Sequence, residues 1–124
     1  METILVVDDN PGGRELAREI LATAGYTVLE AGTVNEALGI LGSGQAVHLV
    51  ITDIVMPGVR GTTLASEVLK SYPDTKILLT SGYLDSSESG ETQALDGLPF
   101  LQKPYTSSLL KQKVQSVLNA DRTA

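Results

Sequence analysis

Residues 4–13, ILVVDDNPGG, run four apolar side chains straight into two adjacent carboxylates and then into a helix start. A strand that is apolar throughout is covered on both faces, as in a parallel sheet. Pro11 suits the first turn of a helix, where its missing N–H is no loss. The stretch therefore reads as strand, turn and helix, with Asp8 and Asp9 left together at the strand's carboxyl end.

The same alternation recurs along the chain. YTVLEA (26–31), HLVIT (48–52), KILLT (76–80) and PFLQ (99–102) are further strands, separated by segments whose apolar residues repeat at helical spacing. That order predicts an α/β fold with a parallel sheet, in which the first, third and fourth strands are central. The first helix carries Leu16, Ala17, Ile20, Leu21 and Ala24 and ends at Gly25; the second opens with Thr33 and Glu36 at capping-box spacing. A third carries Leu64, Ala65, Val68 and Leu69 and stops before Pro73, and a last one carries Leu109, Leu110, Val114, Val117 and Leu118. Between the fourth and fifth strands, LDSSESGETQALDG has only Leu84, Ala94 and Leu95 as apolar anchors, which predicts a short, mobile or absent helix over Asp85–Gly97.

A chain of 124 residues with 42% hydrophobic content supports one core, so a single domain is expected over residues 1–120, with 121–124 a frayed tail. The net charge of −6 and nine scattered basic residues argue against nucleic acid as a partner, since phosphate contacts need clustered Lys and Arg. Without cysteine there is neither a disulfide framework nor thiolate chemistry. The N-terminal apolar run is too short for a signal peptide and nothing approaches a membrane span, so no membrane association and a cytoplasmic location are expected.

In an open parallel sheet, ligands bind beyond the carboxyl ends of the strands. The first strand ends at Asp8 and Asp9, the third at Asp53, the fourth at Thr80 and Ser81, and the fifth at Lys103 and Pro104. Three carboxylates at close range repel unless a cation joins them, and Mg²⁺, with Mn²⁺ as an alternative, suits hard oxygen ligands that meet a phosphate. Blander readings compete. Asp9 and Asn10 both suit a helix cap, Asp53 suits a turn before Met56, Pro57 and Gly58, Ser81 suits a tight strand exit, and Lys103 suits a solvated surface. His48, with no other metal-binding His or Cys nearby, is read as the start of a strand.

The residues VVDD, ITDIVMPG, LLTSG and LQKPY, in this order and spacing, closely resemble the receiver domains of two-component response regulators. The resemblance runs from Ile4 to about Leu118 and lies nearest to receivers at the C-terminal ends of hybrid histidine kinases. It implies a flavodoxin-like three-layer fold with strand order 2-1-3-4-5. It also implies Asp53 as phosphoacceptor and Mg²⁺ held by Asp8, Asp9, Asp53 and the backbone carbonyl of Val55. Ser81 is then the switch hydroxyl, Lys103 the lysine facing the phosphoryl group, Phe100 the switch aromatic, and the Lys103–Pro104 peptide is cis. The implied partner is a histidine kinase or a histidine phosphotransfer protein, acting on a monomer or weak dimer that is a phosphoacceptor rather than an enzyme in its own right. The chain would be either a stand-alone receiver or a piece of a longer protein.

Other classes stay open on the sequence alone. A phosphatase of haloacid-dehalogenase type also uses an aspartyl nucleophile with Mg²⁺, but its nucleophile would follow the first strand with an acid two positions later, and Val55 stands two beyond Asp53. A flavin-binding module lacks its phosphate-cradling loop here, and a phosphorylation-independent binding module would not need the full polar set.

The family resemblance also places Val55 and Tyr83 beside the water that hydrolyses an acyl phosphate. Val55 has no polar group with which to orient that water. Phospho-Asp53 is therefore expected to decay slowly, and Val55→Asn to accelerate the decay, measured in excess Mg²⁺; fast loss in the unmodified protein, or no acceleration in the variant, would discard the idea.

Overall fold

Three strands without a polar residue in their middle need cover on both faces, and the chain supplies it by alternating strands with amphipathic helices. The computed structural model describes residues 2–54, 61–81, 99–102 and 105–119, Thr62 and Ser81 through their backbone only. In chain order the elements are β1 (Thr3–Val7), α1 (Pro11–Thr23), β2 (Thr27–Ala31), α2 (Val34–Gly42), β3 (Leu49–Asp53), α3 (Gly61–Ser71), β4 (Lys76–Ser81), β5 (Phe100–Gln102) and α4 (Ser107–Asn119). The five strands form one sheet in the order β2-β1-β3-β4-β5, every pairing parallel. This is the flavodoxin-like arrangement that the resemblance implies, and the strands predicted to be central are central.

Period-two alternation divides the core between the two faces. Leu5, Val7, Val50, Ile77 and Leu79 point to one side and pack with Val34, Ala37 and Leu41 of α2 and Leu64, Ala65 and Val68 of α3. Ile4, Val6, Leu49, Ile51 and Leu78 point to the other and pack with Ala17 and Leu21 of α1 and Leu110, Val114 and Val117 of α4. Edge strand β2, by contrast, exposes Thr27 and Glu30.

The starts of α1, α2 and α4 each have a chemical cause. Asn10 caps α1, its Oδ1 accepting from the N–H groups of Gly12 and Gly13. Thr33 caps α2 by accepting from the Glu36 N–H, but the Glu36 carboxylate reaches back one residue further than a capping box requires, accepting from Gly32 N–H. Thr106 does the same work for α4, accepting from Leu109 N–H. At the end of α1 the chain reverses through Gly25 at φ +102°, a conformation side chains disfavour.

The helical stripes are narrower than their apolar residues suggest. Leu16, Leu69 and Leu109 belong to the predicted faces yet are 50%, 49% and 49% exposed. Each sits at the margin of its helix's stripe, because only part of the circumference meets the sheet. Leu16 also lines a groove between α1 and α4, with Glu19, Ile20, Thr23, Ser107 and Lys111. No described helix is long and apolar enough to cross a membrane. Asp85–Gly97, the Lys103–Pro104 peptide and the tail 121–124 lie outside the described residues.

His48 precedes β3 and takes part in the sheet by its side chain. Its N–H donates to the Thr3 carbonyl at 2.8 Å, while its Nδ1 accepts from Thr3 N–H at 2.9 Å. The imidazole thus stands where a ladder carbonyl would stand. Thr3 is buried, so losing that acceptor orphans a donor. His48→Ala is expected to destabilise the fold by about 1–3 kcal/mol in urea unfolding, with His48→Asn, which can present an oxygen at the same place, recovering most of it.

Candidate functional site

The register of the central strands decides what meets at the carboxyl edge. Val7 pairs with Thr52, so the residues that follow, Asp8 and Asp53, emerge side by side. Asp53 in turn pairs with Thr80, and Ile54 N–H donates to Thr80 O at 2.8 Å, which fixes the β3 terminus on both sides of Asp53. Oxygens of Asp8, Asp9 and Asp53 all lie within 4.8 Å of one another, the group of three among the described residues suited to a metal ion. Asp8 is 6% exposed. Asp53 is half-buried and Asp9 exposed.

Asp8 is held firmly. Its N–H donates to Ala31 O at 3.1 Å, its Oδ1 accepts from Asn10 N–H at 2.9 Å, and its carbonyl accepts from Arg14 Nη1 at 2.7 Å. A Cβ on Gly13 would lie 3.2 Å from Asp8 Oδ2, so glycine there keeps the helix start close to the carboxylate without crowding it. Helix capping falls to Asn10, which removes the capping explanation for Asp9. The donor set is hard oxygen throughout, and a buried carboxylate beside two others fits a divalent cation of the Mg²⁺ type.

The other predicted site residues are partly described. Ser81 ends β4 and pairs through its backbone with Gln102 of β5. Phe100 opens β5 opposite Leu79 and packs, half-buried, against the cluster beneath α2 and α3. Val55 and Lys103 lie outside the described residues. The sequence reading passed over Arg14. Its one signal was a cation in the first turn of α1, where the helix dipole disfavours positive charge unless something else holds it.

A parallel five-stranded sheet in this order with an acidic cluster at its carboxyl edge defines an α/β protein of flavodoxin-like fold with a candidate cation site. The profile of the response regulator receiver domain matches residues 4–115, and the chain belongs to that family, as a receiver of two-component signalling. Sensor kinase CckA of Brucella abortus is 36% identical over 94% of the chain, of which the chain spans 12% of the length. A chemotaxis protein CheY homologue of Campylobacter jejuni is 32% identical, with 93% of the chain and 91% of the relative covered. Among solved structures, response regulator TrrA of Thermotoga maritima in complex with Mg²⁺-BeF superposes with a TM-score of 0.82 at 38% identity, covering 94% of this chain and 99% of that one. The phosphatase reading is not favoured by these relationships.

Three carboxylates this close repel when no cation is bound. In Mg²⁺-free buffer Asp9→Asn is therefore expected to raise the melting temperature by roughly 2–4 °C, while the further rise that Mg²⁺ gives the unmodified protein shrinks. A variant that melts lower without Mg²⁺, or gains as much from it, would count against the cluster as a cation site.

Proposed function

We propose that Asp53 receives a phosphoryl group from a phosphohistidine on a histidine kinase or histidine phosphotransfer protein, in the cytoplasm. The observation that carries this reading is the convergence of Asp8, Asp9 and Asp53 within 4.8 Å at the carboxyl edge. Among the three, Asp53 stands on β3 with β1 on one side and β4 on the other, so it faces the acidic pair and the Thr80–Ser81 end together. Asp8 is committed to Asn10 and is the most buried. The central place of Asp53 between β1 and β4 favours it as the nucleophile as well as a ligand, with Asp8 and Asp9 as ligands only.

Asp8, Asp9, Asp53 and the Val55 carbonyl would hold Mg²⁺, or Mn²⁺ in its place. When bound, the ion neutralises charge on the transferring oxygens. A carboxylate oxygen of Asp53 attacks phosphorus in line, the phosphorus–nitrogen bond of the donor breaks, and the electron pair returns to the imidazole. Lys103 neutralises a second phosphoryl oxygen and Ser81 donates its hydroxyl to a third, roles that rest on the family resemblance. Movement of Ser81 toward the phosphoryl group would vacate space for the Phe100 ring to turn further inward. Phe100 already packs against the core below α2 and α3, which gives the ring an apolar seat.

The test is chemical. With Mg²⁺ and acetyl phosphate or phosphoramidate, one phosphoryl group is expected on Asp53, found by intact mass and peptide mapping, and none on Asp53→Ala. Label on another residue, or undiminished labelling of the variant, would overturn the assignment.

A further inference from the structure

We propose that Arg14 is a positioning residue for the acidic site: its guanidinium fixes the peptide that joins Asp8 to Asp9, so that both carboxylates converge on Asp53. The inference rests on the proposed function of that site as a cation-binding phosphoacceptor centre.

Among the contacts that hold Asp8, three differ in kind. The bonds to Ala31 O and Asn10 N–H are made by the main chain of other residues. The third, Arg14 Nη1 to Asp8 O at 2.7 Å, depends on a side chain alone. The carbonyl it grips belongs to the peptide plane whose other end is the Asp9 N–H, so its direction sets the direction in which Asp9 leaves the strand. Asp9 is exposed and has little packing to orient it otherwise.

Arg14 is itself aimed from the other side. Its Nε lies 3.3 Å from Glu30 Oε1 on edge strand β2, and Arg18 Nε, one turn along α1, lies 3.1 Å from Glu30 Oε2. Glu30 therefore receives two guanidinium groups and places only one of them, Arg14, against Asp8. The fit is close: a Cβ on Gly32 would come within 3.2 Å of Arg14 Nη1, and no side chain stands there. A planar fork with separate donors spans Glu30 and the Asp8 carbonyl at once, which a lysine ammonium cannot match in geometry. Partners of this outer kind orient the groups that touch the metal.

Charge alone argues the opposite way, because a cation beside a cation site weakens binding. Replacement by lysine keeps the charge and removes the fork, so it reads geometry. Mg²⁺ titration calorimetry of the unphosphorylated protein, up to roughly 20 mM, is expected to show Arg14→Lys binding about three- to tenfold more weakly. Arg18→Lys, which disturbs the same Glu30 without touching Asp8, should stay within about twofold of the unmodified protein. Thermal unfolding without Mg²⁺ establishes that each variant is folded. An Arg14→Lys protein that melts lower yet binds Mg²⁺ normally would reduce Arg14 to a structural ion pair and overturn the proposal. Equal losses in the two variants would assign the effect to the Glu30 network instead and overturn it as well. Failure of the unmodified protein to bind Mg²⁺ would overturn the reading of the site itself, a result distinct from both.

Discussion

Parallel pairing of β1 with β3 in one register forces Asp8 and Asp53 together, and everything at the carboxyl edge follows from that enforced proximity of like charges. At the 4.8 Å that bounds the cluster, two carboxylates repel by roughly 1 kcal/mol in water and roughly 3–4 kcal/mol at an effective dielectric of 20. The strands cannot slip to relieve this. A slip of one residue would turn Ile4, Val6 and Leu78 from the α1 and α4 side to the other face and do the reverse for Leu5, Val7 and Leu79. Apolar burial on two faces thus holds in place a charge arrangement that is unfavourable in isolation, and leaves it to be relieved by a ligand.

How far this was legible in the sequence depends on the kind of information each feature carries. The strands were readable because a central parallel strand must be apolar throughout, and the three such runs are the three central strands. The acidic convergence was readable because strand ends in this fold share an edge. Whether Asp9 or Asn10 caps α1 was not readable, since both suit the place; the decision comes from which side chain reaches the Gly12 and Gly13 N–H groups. Arg14 was hidden for a different reason. Its partners are a carbonyl six residues before it and a carboxylate on the neighbouring strand, and no local spacing rule joins those. Leu16, Leu69 and Leu109 show the limit of periodicity, which marks a face without giving its width.

A phosphoryl group on Asp53, as proposed, would be communicated through β4, the strand beside it, and through β5 beyond. Ser81 and Gln102 are paired, and so are Leu79 and Phe100, so the proposed switch hydroxyl and switch aromatic sit on adjoining strands of one ladder. A side chain that is half-buried can move either way at small expense. Full burial of Phe100 would have removed that freedom.

Among the described residues the core is divided between two helix pairs, and that division also bears on how the chain folds. On one face α2 and α3 are successive helices, so their layer assembles from a contiguous part of the chain. On the other face α1 must meet α4, the first helix and the last, and that layer closes only when nearly the whole chain has been gathered. Loop-closure entropy rises with the separation being closed, and long-range contacts are rewarded late. The expected order of events is therefore asymmetric: the α2–α3 side condenses first on β1, β3 and β4, and docking of α4 beside α1 completes the molecule, making the packing of the chain's two ends the last step in and the first step out.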